Sequence, residues 1–128
     1  MPYSDEFLEH LRYPRNLRQM DGASATGHAD LGGTTPSIDV YICISDQVVT
    51  QITYQTAGCG ALMACASLAS LLIQGKSLAE CATFSSDDLL DAIGELPVQK
   101  QFCAELVACA IRQAAARGEQ ACNKGSHF

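Results

Sequence analysis

The sequence predicts an α+β domain, in which a small antiparallel sheet of about three strands is preceded by one helix and followed by the others. Two alternating apolar segments, 38–44 and 47–56, flank a turn and predict a β-hairpin. The helical patterns lie before and after this hairpin and not between its strands, which argues against a parallel sheet. The 128 residues match one domain of ordinary size, which can bury a core without disulfides or metal.

The first helix is predicted close to the start of the sequence. Ser4 can cap it, and the acidic residues Asp5 and Glu6 suit the positive end of a helix. Its apolar face comprises Phe7, Leu8 and Leu11. Pro14 ends it, because the residue before a proline avoids the helical region. Residues 16–36 are rich in small and polar side chains, so we expect a loop that includes at most an edge strand.

The hairpin should present one face to the core. The core-facing residues of its first strand are Ile38, Val40, Ile42 and Ile44. The opposite face of that strand carries Asp39, Tyr41 and Cys43. A turn at 45–47 leads into the second strand, and we expect its core face to carry Val48, Ile52 and Tyr54.

Helices are predicted after the hairpin. One covers 61–74 and ends at Gly75. A capping box at 77–80 begins a short helix, and a further short helix covers about 86–93.

A long helix is predicted to follow over 99–117, after the breakers Gly94 and Pro97. Its core stripe comprises Leu106, Ala110, Ile111 and Ala114. We expect residues 1–117 to form the domain and residues 118–128 to form a flexible tail.

Composition and charge argue against several classes of function. Eight basic and 14 acidic residues give a net charge of −6, so a nucleic-acid partner is not expected. The apolar segment 57–73 is short for a membrane span and rich in small residues, so it predicts a buried helix and no membrane partner. No secretory signal pattern opens the sequence, which predicts a cytoplasmic protein. Its seven cysteines are then metal, redox or core residues and not disulfide partners.

Three residues are candidates for chemistry. Cys59 stands between two glycines where a strand gives way to a helix, and a helix N-terminus favours the thiolate. Cys103 lies near the start of the last helix, three residues after Lys100, whose charge could also favour a thiolate. Asp39 lies on the open face of its strand. The alternative for each residue is a structural role: a packed thiol for either cysteine and a solvated carboxylate for Asp39.

At these places the sequence resembles the NifU/IscU-type iron–sulfur cluster scaffold proteins, over nearly its whole length. The segments that carry the resemblance are Tyr3-Ser4-Asp5, Tyr13-Pro14-Arg15-Asn16, Ser37-Ile38-Asp39-Val40, Thr56-Ala57-Gly58-Cys59-Gly60, Gly75-Lys76-Ser77-Leu78 and the stretch from Leu96-Pro97 to Cys103. Each motif is short, but all of them occur in the order and at the spacing of the family. The resemblance predicts the family's N-terminal-domain fold.

The resemblance implies a scaffold rather than an enzyme. Such a protein receives sulfur from a cysteine desulfurase, holds a labile [2Fe–2S] cluster, iron or zinc, and delivers to an apo iron–sulfur protein. It implies that Cys59, Cys103 and Asp39 bind the cluster or metal, with Cys103 as the acceptor of persulfide sulfur. Soft thiolates suit iron, sulfide and zinc. The segment 96–100 only partly resembles the family's chaperone-recognition motif, since one proline is missing.

Two departures from the family pattern leave three functions open. Ser37 stands where the family has its first cysteine, and Phe102 where it has a histidine. One function is a scaffold or carrier whose ligand set is completed by a second chain or an external thiol. Another is a persulfide carrier without a cluster, and the last is a degenerate paralogue that docks or regulates a partner without metal. Ser37 and His28 are the secondary candidates for a ligand.

The remaining cysteines and histidines are predicted to be structural or solvated. Cys65 and Cys109 are each six residues beyond a candidate ligand, a rotation of about 240° on a helix, and are expected in the core. We expect structural roles for Cys43, Cys81 and His10. In the tail, we expect Cys122 to be an exposed thiol and His127 to be solvated.

Overall fold

The computed structural model describes residues 3–94 and 96–125, with side chains through residue 121. It confirms the predicted α+β class. A three-stranded antiparallel sheet has the order β1-β2-β3. Its strands are β1 (Ala25–Leu31), β2 (Thr34–Ser45) and β3 (Val48–Ala57). The helices are α1 (Asp5–Arg12), α2 (Gly60–Ile73), α3 (Leu78–Ala82), α4 (Ser86–Ile93) and α5 (Phe102–Gly125).

Local sequence signals set the helix ends as predicted. The Ser4 hydroxyl accepts a hydrogen bond from the Phe7 backbone N–H, 3.1 Å away, and caps α1, which ends at Arg12 with Tyr13, the residue before Pro14, as its C-cap. Ser77 and Glu80 form the expected capping box of α3. A second capping box, from Ser85 and Asp88, begins α4 and was not predicted. Each box satisfies backbone N–H groups that a helix start leaves without partners.

The predicted alternation holds from Ile38 to Ile42, whereas Ile44, predicted to face the core, is only half-buried. Ile38, Val40 and Ile42 are buried as expected. In β3, Thr53 is buried together with its neighbours Ile52 and Tyr54. The register shifts after Cys43, so that Val49 pairs with Ile44 and is buried, whereas Val48, which was predicted for the core face, is only half-buried. An extra residue in one strand inverts the alternation beyond it, which is the physical reason for the correction. The predicted loop at 16–36 does contain an edge strand, β1.

Helix α5 lies across the sheet and is longer than predicted. Its predicted core stripe is buried. A short 3₁₀ turn at Val98–Lys100 precedes it, so the α-helix begins at Phe102 and not near Gln99. It continues to Gly125, which corrects the predicted end at Arg117. A Cβ on Gly118 would overlap the Ile44 side chain, so this glycine permits a close helix–sheet contact and does not end the helix.

The predicted tail is therefore helical over residues 118–125, and residues 126–128 lie outside the described part of the chain. The separation of a domain at 1–117 from a flexible tail stays a prediction. No helix among the described residues is long and apolar enough to cross a membrane. The buried side chains of α2, α5 and the inner sheet face form one apolar core.

Candidate functional site

Cys59 lies at the junction of β3 and α2, where it is the N-cap residue of the helix. The preceding Gly58 has a φ of +93°, a backbone conformation that residues with a side chain rarely adopt. A Cβ on Gly58 would also lie 2.9 Å from the Cβ of Thr35, so the junction packs closely against the start of β2. The flanking glycines are exposed and Cys59 is half-buried, so solvent reaches the Cys59 thiol.

The surroundings of the Cys59 thiol favour its ionised form. Burial acts to raise the pKa of Cys59. The backbone N–H groups of Leu62 and Ala61, in the first turn of α2, act in the opposite direction. Cys103 and the positive charge of Lys100 add to their effect, and the net pKa lies below that of an ordinary thiol. The predicted preference of Cys59 for the thiolate is therefore supported.

Cys103 lies directly beside Cys59 but in a different environment. Its sulfur is 3.9 Å from that of Cys59, and its side chain is fully buried in the first turn of α5. Burial and the neighbouring Cys59 raise the pKa of Cys103 to about 12, and the charge of Lys100 offsets this only in part. The predicted effect of Lys100 has the right direction, but desolvation is larger. Cys103 alone is therefore a protonated thiol at neutral pH.

Asp39 is held on the open face of the sheet by His28. The two residues are directly opposite each other in β2 and β1, and His28 Nδ1 is 2.8 Å from Asp39 Oδ1. The other ring nitrogen, Nε2, is 2.7 Å from Asp30 Oδ2. Ionised carboxylates only accept hydrogen bonds, so these two contacts favour the protonated imidazole, in which both ring nitrogens donate. Asp30 and then Asp39 accordingly raise the pKa of His28.

The cluster of His28, Asp30 and Asp39 was only partly visible in the sequence. Asp30 was not singled out, although its spacing of two residues from His28 places both side chains on one strand face. The backbone N–H of Gly33 donates to Asp30 Oδ1 at 2.7 Å, and with His28 it lowers the pKa of that carboxyl. The pairing with Asp39 depends on strand register, which the sequence of β1 does not reveal.

The structure thus brings the predicted ligands together in two separate groups. Cys59 and Cys103 form one, and Asp39 with His28 forms the other. Ser37 lies between them, opposite Ala57 in β3 and Asp30 in β1. Within the described part of the chain, no three His, Cys, Asp or Glu side chains are arranged to hold a metal ion. Phe102 is half-buried at the start of α5 and packs against the core.

The other cysteines differ from one another in exposure. Cys65 and Cys81 are buried as predicted, and burial raises the pKa of Cys81 to about 11. Cys43 is half-buried, and its thiol donates to the sulfur of Met20 at 3.2 Å. The prediction that Cys109 lies in the core is wrong, because Cys109 is exposed. It shares a helix face with the exposed Glu105, four residues earlier, and this spacing was a usable signal.

Of the three remaining residues, one has its predicted character and the side chains of the other two lie outside the described part of the chain. His10 is buried beside Ser67, and its Nδ1 is 2.6 Å from the Ser67 hydroxyl. Burial and then Arg15 lower the pKa of His10, as suits a structural histidine. The side chain of Cys122 and all of His127 lie outside the described residues.

Comparison with known proteins identifies the family. The model of the NifU-like N terminal domain matches residues 2–123. The chain is 33% identical to the iron–sulfur cluster assembly scaffold protein IscU 1 of Archaeoglobus fulgidus, covering 88% of this chain and 73% of the relative. It is 30% identical to the IscU scaffold protein of Escherichia coli, covering 91% and 93%. The chain therefore belongs to the NifU/IscU-type family, as the sequence motifs predicted.

Solved structures agree on the fold. A NifU-like N-terminal protein from Brucella abortus superposes with a TM-score of 0.72 at 16% identity, covering 93% of this chain and 95% of that one. A protein described as an iron–sulfur cluster assembly scaffold for the SUF system, from Fervidobacterium islandicum, gives a TM-score of 0.70 at 12% identity, covering 90% and 97%. At these identities the likeness shows the fold alone, and it confirms the predicted NifU/IscU-like architecture.

Proposed function

We propose that this chain is an iron–sulfur cluster assembly scaffold, acting without catalysis of its own in the cytoplasm. It receives sulfur from a cysteine desulfurase, assembles a labile [2Fe–2S] cluster, and delivers this cargo to an apo iron–sulfur protein. The pair of thiols at Cys59 and Cys103, 3.9 Å apart in a domain of this family, carries the proposal. Thiolates are the protein ligands that iron–sulfur clusters use most, and the same pair would also suit zinc.

The two thiols make complementary contributions to such a site. Cys59 is accessible and has the lower pKa, so it is the first to meet iron or sulfur from solution. Cys103 is neutral while no metal is near, and a bound cation supplies the opposite charge that a buried thiolate needs. Metal uptake at Cys103 therefore releases a proton, and the bound iron is shielded from water on the Cys103 side.

One chain supplies fewer ligands than a [2Fe–2S] cluster takes. A cluster of this kind is commonly held by four cysteine thiolates, and Cys59 and Cys103 provide two. Two chains that each contribute this pair would complete the set and form a cluster-bridged homodimer. Within one chain, Asp39 could serve as an additional oxygen ligand after release from His28, with Ser37 and His28 as neighbouring donors. A carboxylate binds iron less firmly than a thiolate does, which suits a cluster that must be passed on.

The test is anaerobic cluster assembly on the purified protein. We expect iron and acid-labile sulfide in equal amounts when the protein receives ferrous iron, cysteine, dithiothreitol and a cysteine desulfurase. About one cluster per two chains would indicate the bridged dimer. Cys59→Ser and Cys103→Ser should each retain at least about tenfold less iron, because each removes half of the thiolate pair. Cys109→Ser is the matched control and should assemble as much cluster as the wild type, since this exposed thiol lies on another face of α5.

Other outcomes would contradict the scaffold assignment. Sulfane sulfur on the chain without iron would indicate a persulfide carrier instead. Equal iron content in the wild type and both site variants would show that the thiol pair holds no cluster, as expected of a paralogue that only docks a partner. Zinc retained by the thiol pair without any iron or sulfide would indicate a metal-binding protein rather than a cluster scaffold.

A further inference from the structure

The two site thiols differ sharply in access. Cys103 has no exposed surface, whereas Cys59 is half-buried between two exposed glycines. An incoming persulfide, whether on a protein or on a small molecule, therefore reaches Cys59 before Cys103. This burial argues against the acceptor role that the family resemblance implies for Cys103. Although Cys103 is closed to solvent, its sulfur lies 3.9 Å from the Cys59 sulfur and can react with it inside the protein.

We propose that Cys59 and Cys103 act as an internal dithiol that releases sulfide: Cys59 takes up the sulfane sulfur, and Cys103 displaces it, leaving a Cys59–Cys103 disulfide. The inference rests on the proposed function, because it states how the sulfur delivered to the scaffold becomes the sulfide that a cluster contains. The release is stoichiometric, with one sulfide for each pair of thiols. An external thiol reductant then returns the disulfide to the two thiols before a further round.

The chemistry balances in two steps. In the first, the Cys59 thiolate attacks the outer sulfur of a donor persulfide, the donor's sulfur–sulfur bond breaks, and the donor leaves as a thiolate. In the second, the Cys103 sulfur attacks the Cys59 sulfur and displaces the outer sulfur as hydrogen sulfide, which takes up the proton that Cys103 loses. The sulfane sulfur gains two electrons, and the two cysteine sulfurs lose them on forming the disulfide.

The observed arrangement suits the second step. Attack along this route needs the sulfur of one cysteine to approach that of the other, and the two are already 3.9 Å apart. Forming the bond, about 2 Å long, closes roughly half of that distance. The burial of Cys103 also keeps external thiols from its sulfur, so that its accessible partner is Cys59.

The experiment offers glutathione persulfide to the reduced protein in anaerobic buffer, without iron and without added reductant. In the wild type we expect about one hydrogen sulfide per chain, above the amount released with Cys59→Ser. Peptide mass mapping should find the Cys59 and Cys103 peptides joined by a disulfide. In Cys103→Ala, sulfide release should fall at least about tenfold, and the persulfide should remain on Cys59 as one additional sulfur atom.

Controls separate this chemistry from unspecific thiol reactions. Cys109→Ser removes an exposed thiol elsewhere and should release sulfide like the wild type. Cys103→Ser accompanies Cys103→Ala in case either substitution disturbs the core, and the circular dichroism of each variant must match that of the wild type. Wild-type sulfide release from the folded Cys103 variants would overturn the inference. A persulfide found on Cys103 of the wild type would also overturn it.

This inference and the proposed function can fail independently. Cluster assembly is measured with dithiothreitol, which supplies the electrons that the thiol pair would otherwise provide. A protein that assembles clusters there but accumulates persulfide without sulfide in the iron-free assay contradicts the internal dithiol alone. A protein that releases sulfide and forms the disulfide but never retains iron contradicts the scaffold function alone.

Discussion

The thiol pair and the carboxylate–imidazole cluster are held in place by different forces. Cys59 and Cys103 lie at the starts of two helices whose inner faces pack into one apolar core. The side chains of His28 and Asp39, in contrast, are 47% and 49% exposed and are held together by hydrogen bonds in solvent. An exposed ion pair contributes little to stability and is screened by salt, whereas apolar packing involves no charges that salt could screen. The two thiols are therefore fixed in place by packing, whereas the Asp39 side chain, which we propose as an additional oxygen ligand, can exchange its hydrogen-bond partner.

The largest expected effect is on the free energy of unfolding, and it comes from displacing β1, the strand that carries His28 and Asp30. Gly27 precedes His28 in β1, and a Cβ there would overlap the Ala110 carbonyl oxygen and lie 2.8 Å from the Ala114 nitrogen. Because these are backbone atoms, β1 must separate from α5. We expect Gly27→Ala to lower the free energy of unfolding by about 3 kcal/mol, measured by urea denaturation.

The matched control for this prediction lies in the thiol region. Gly60 follows Cys59 in the first turn of α2, and a Cβ there would meet only the Leu11 side chain, at an ordinary 3.5 Å. Gly60→Ala should leave the free energy of unfolding within about 1 kcal/mol of the wild type, since alanine also favours the helix. Wild-type stability of Gly27→Ala would show that β1 does not pack on α5 as described.

A smaller but still large effect is expected in thiol reactivity. Iodoacetamide reacts with thiolates, so at pH 7.5 we expect Cys59 to be alkylated first, because of its lowered pKa. Cys103, with a pKa of about 12 and no exposed surface, should react at least about a hundredfold more slowly than the exposed Cys109. Time-resolved peptide mass spectrometry measures each rate. If Cys103 reacted as fast as Cys109, the described difference between the two site thiols would be wrong.

The smallest expected effect is a pair of opposite pKa shifts at two histidines, which NMR titration of the metal-free protein measures. Asp30 and Asp39 raise the pKa of His28 above its ordinary 6.5, whereas burial and Arg15 lower that of His10. The contribution of His28 to stability is complete below about pH 6.5 and is lost as the pH rises through its folded pKa. That of His10 is complete above about pH 6.5 and is lost as the pH falls through its folded pKa.

A variant isolates the His28 part of this pH dependence. The stability of the wild type relative to His28→Gln should be greatest at acidic pH and should shrink as the pH rises. The difference should be small throughout, because the pair is half exposed. A His28 pKa at or below that of His10 would contradict the described hydrogen bonds to both carboxylates.

Much of the fold was predictable because short-range patterns encode it. The cap at Ser4, the capping box at Ser77 and the alternation from Ile38 to Ile42 depend on residues a few positions apart, and the structure confirms all three. The errors have tertiary causes. The register shift that buries Val49 instead of Val48 depends on the pairing of β3 with β2. Gly118 lies within α5 and does not end it, because the helix packs there so closely on Ile44 of β2 that a side chain would overlap.

The sequence by itself determined the family and the order of most elements, and it pointed to Cys59 and Cys103 as the site candidates, because motifs at fixed spacing and local periodicity specify these. Only the tertiary structure decided how those cysteines differ. Burial at the α2–α5 contact makes the Cys103 thiol inaccessible and raises its pKa. Cys59 is only half-buried, and the backbone N–H groups at the start of α2 lower its pKa. The capture of Asp39 by His28 likewise required the register of β1 on β2. Exposure and ionisation depend on what packs around a side chain, and residues distant in the sequence supply that packing.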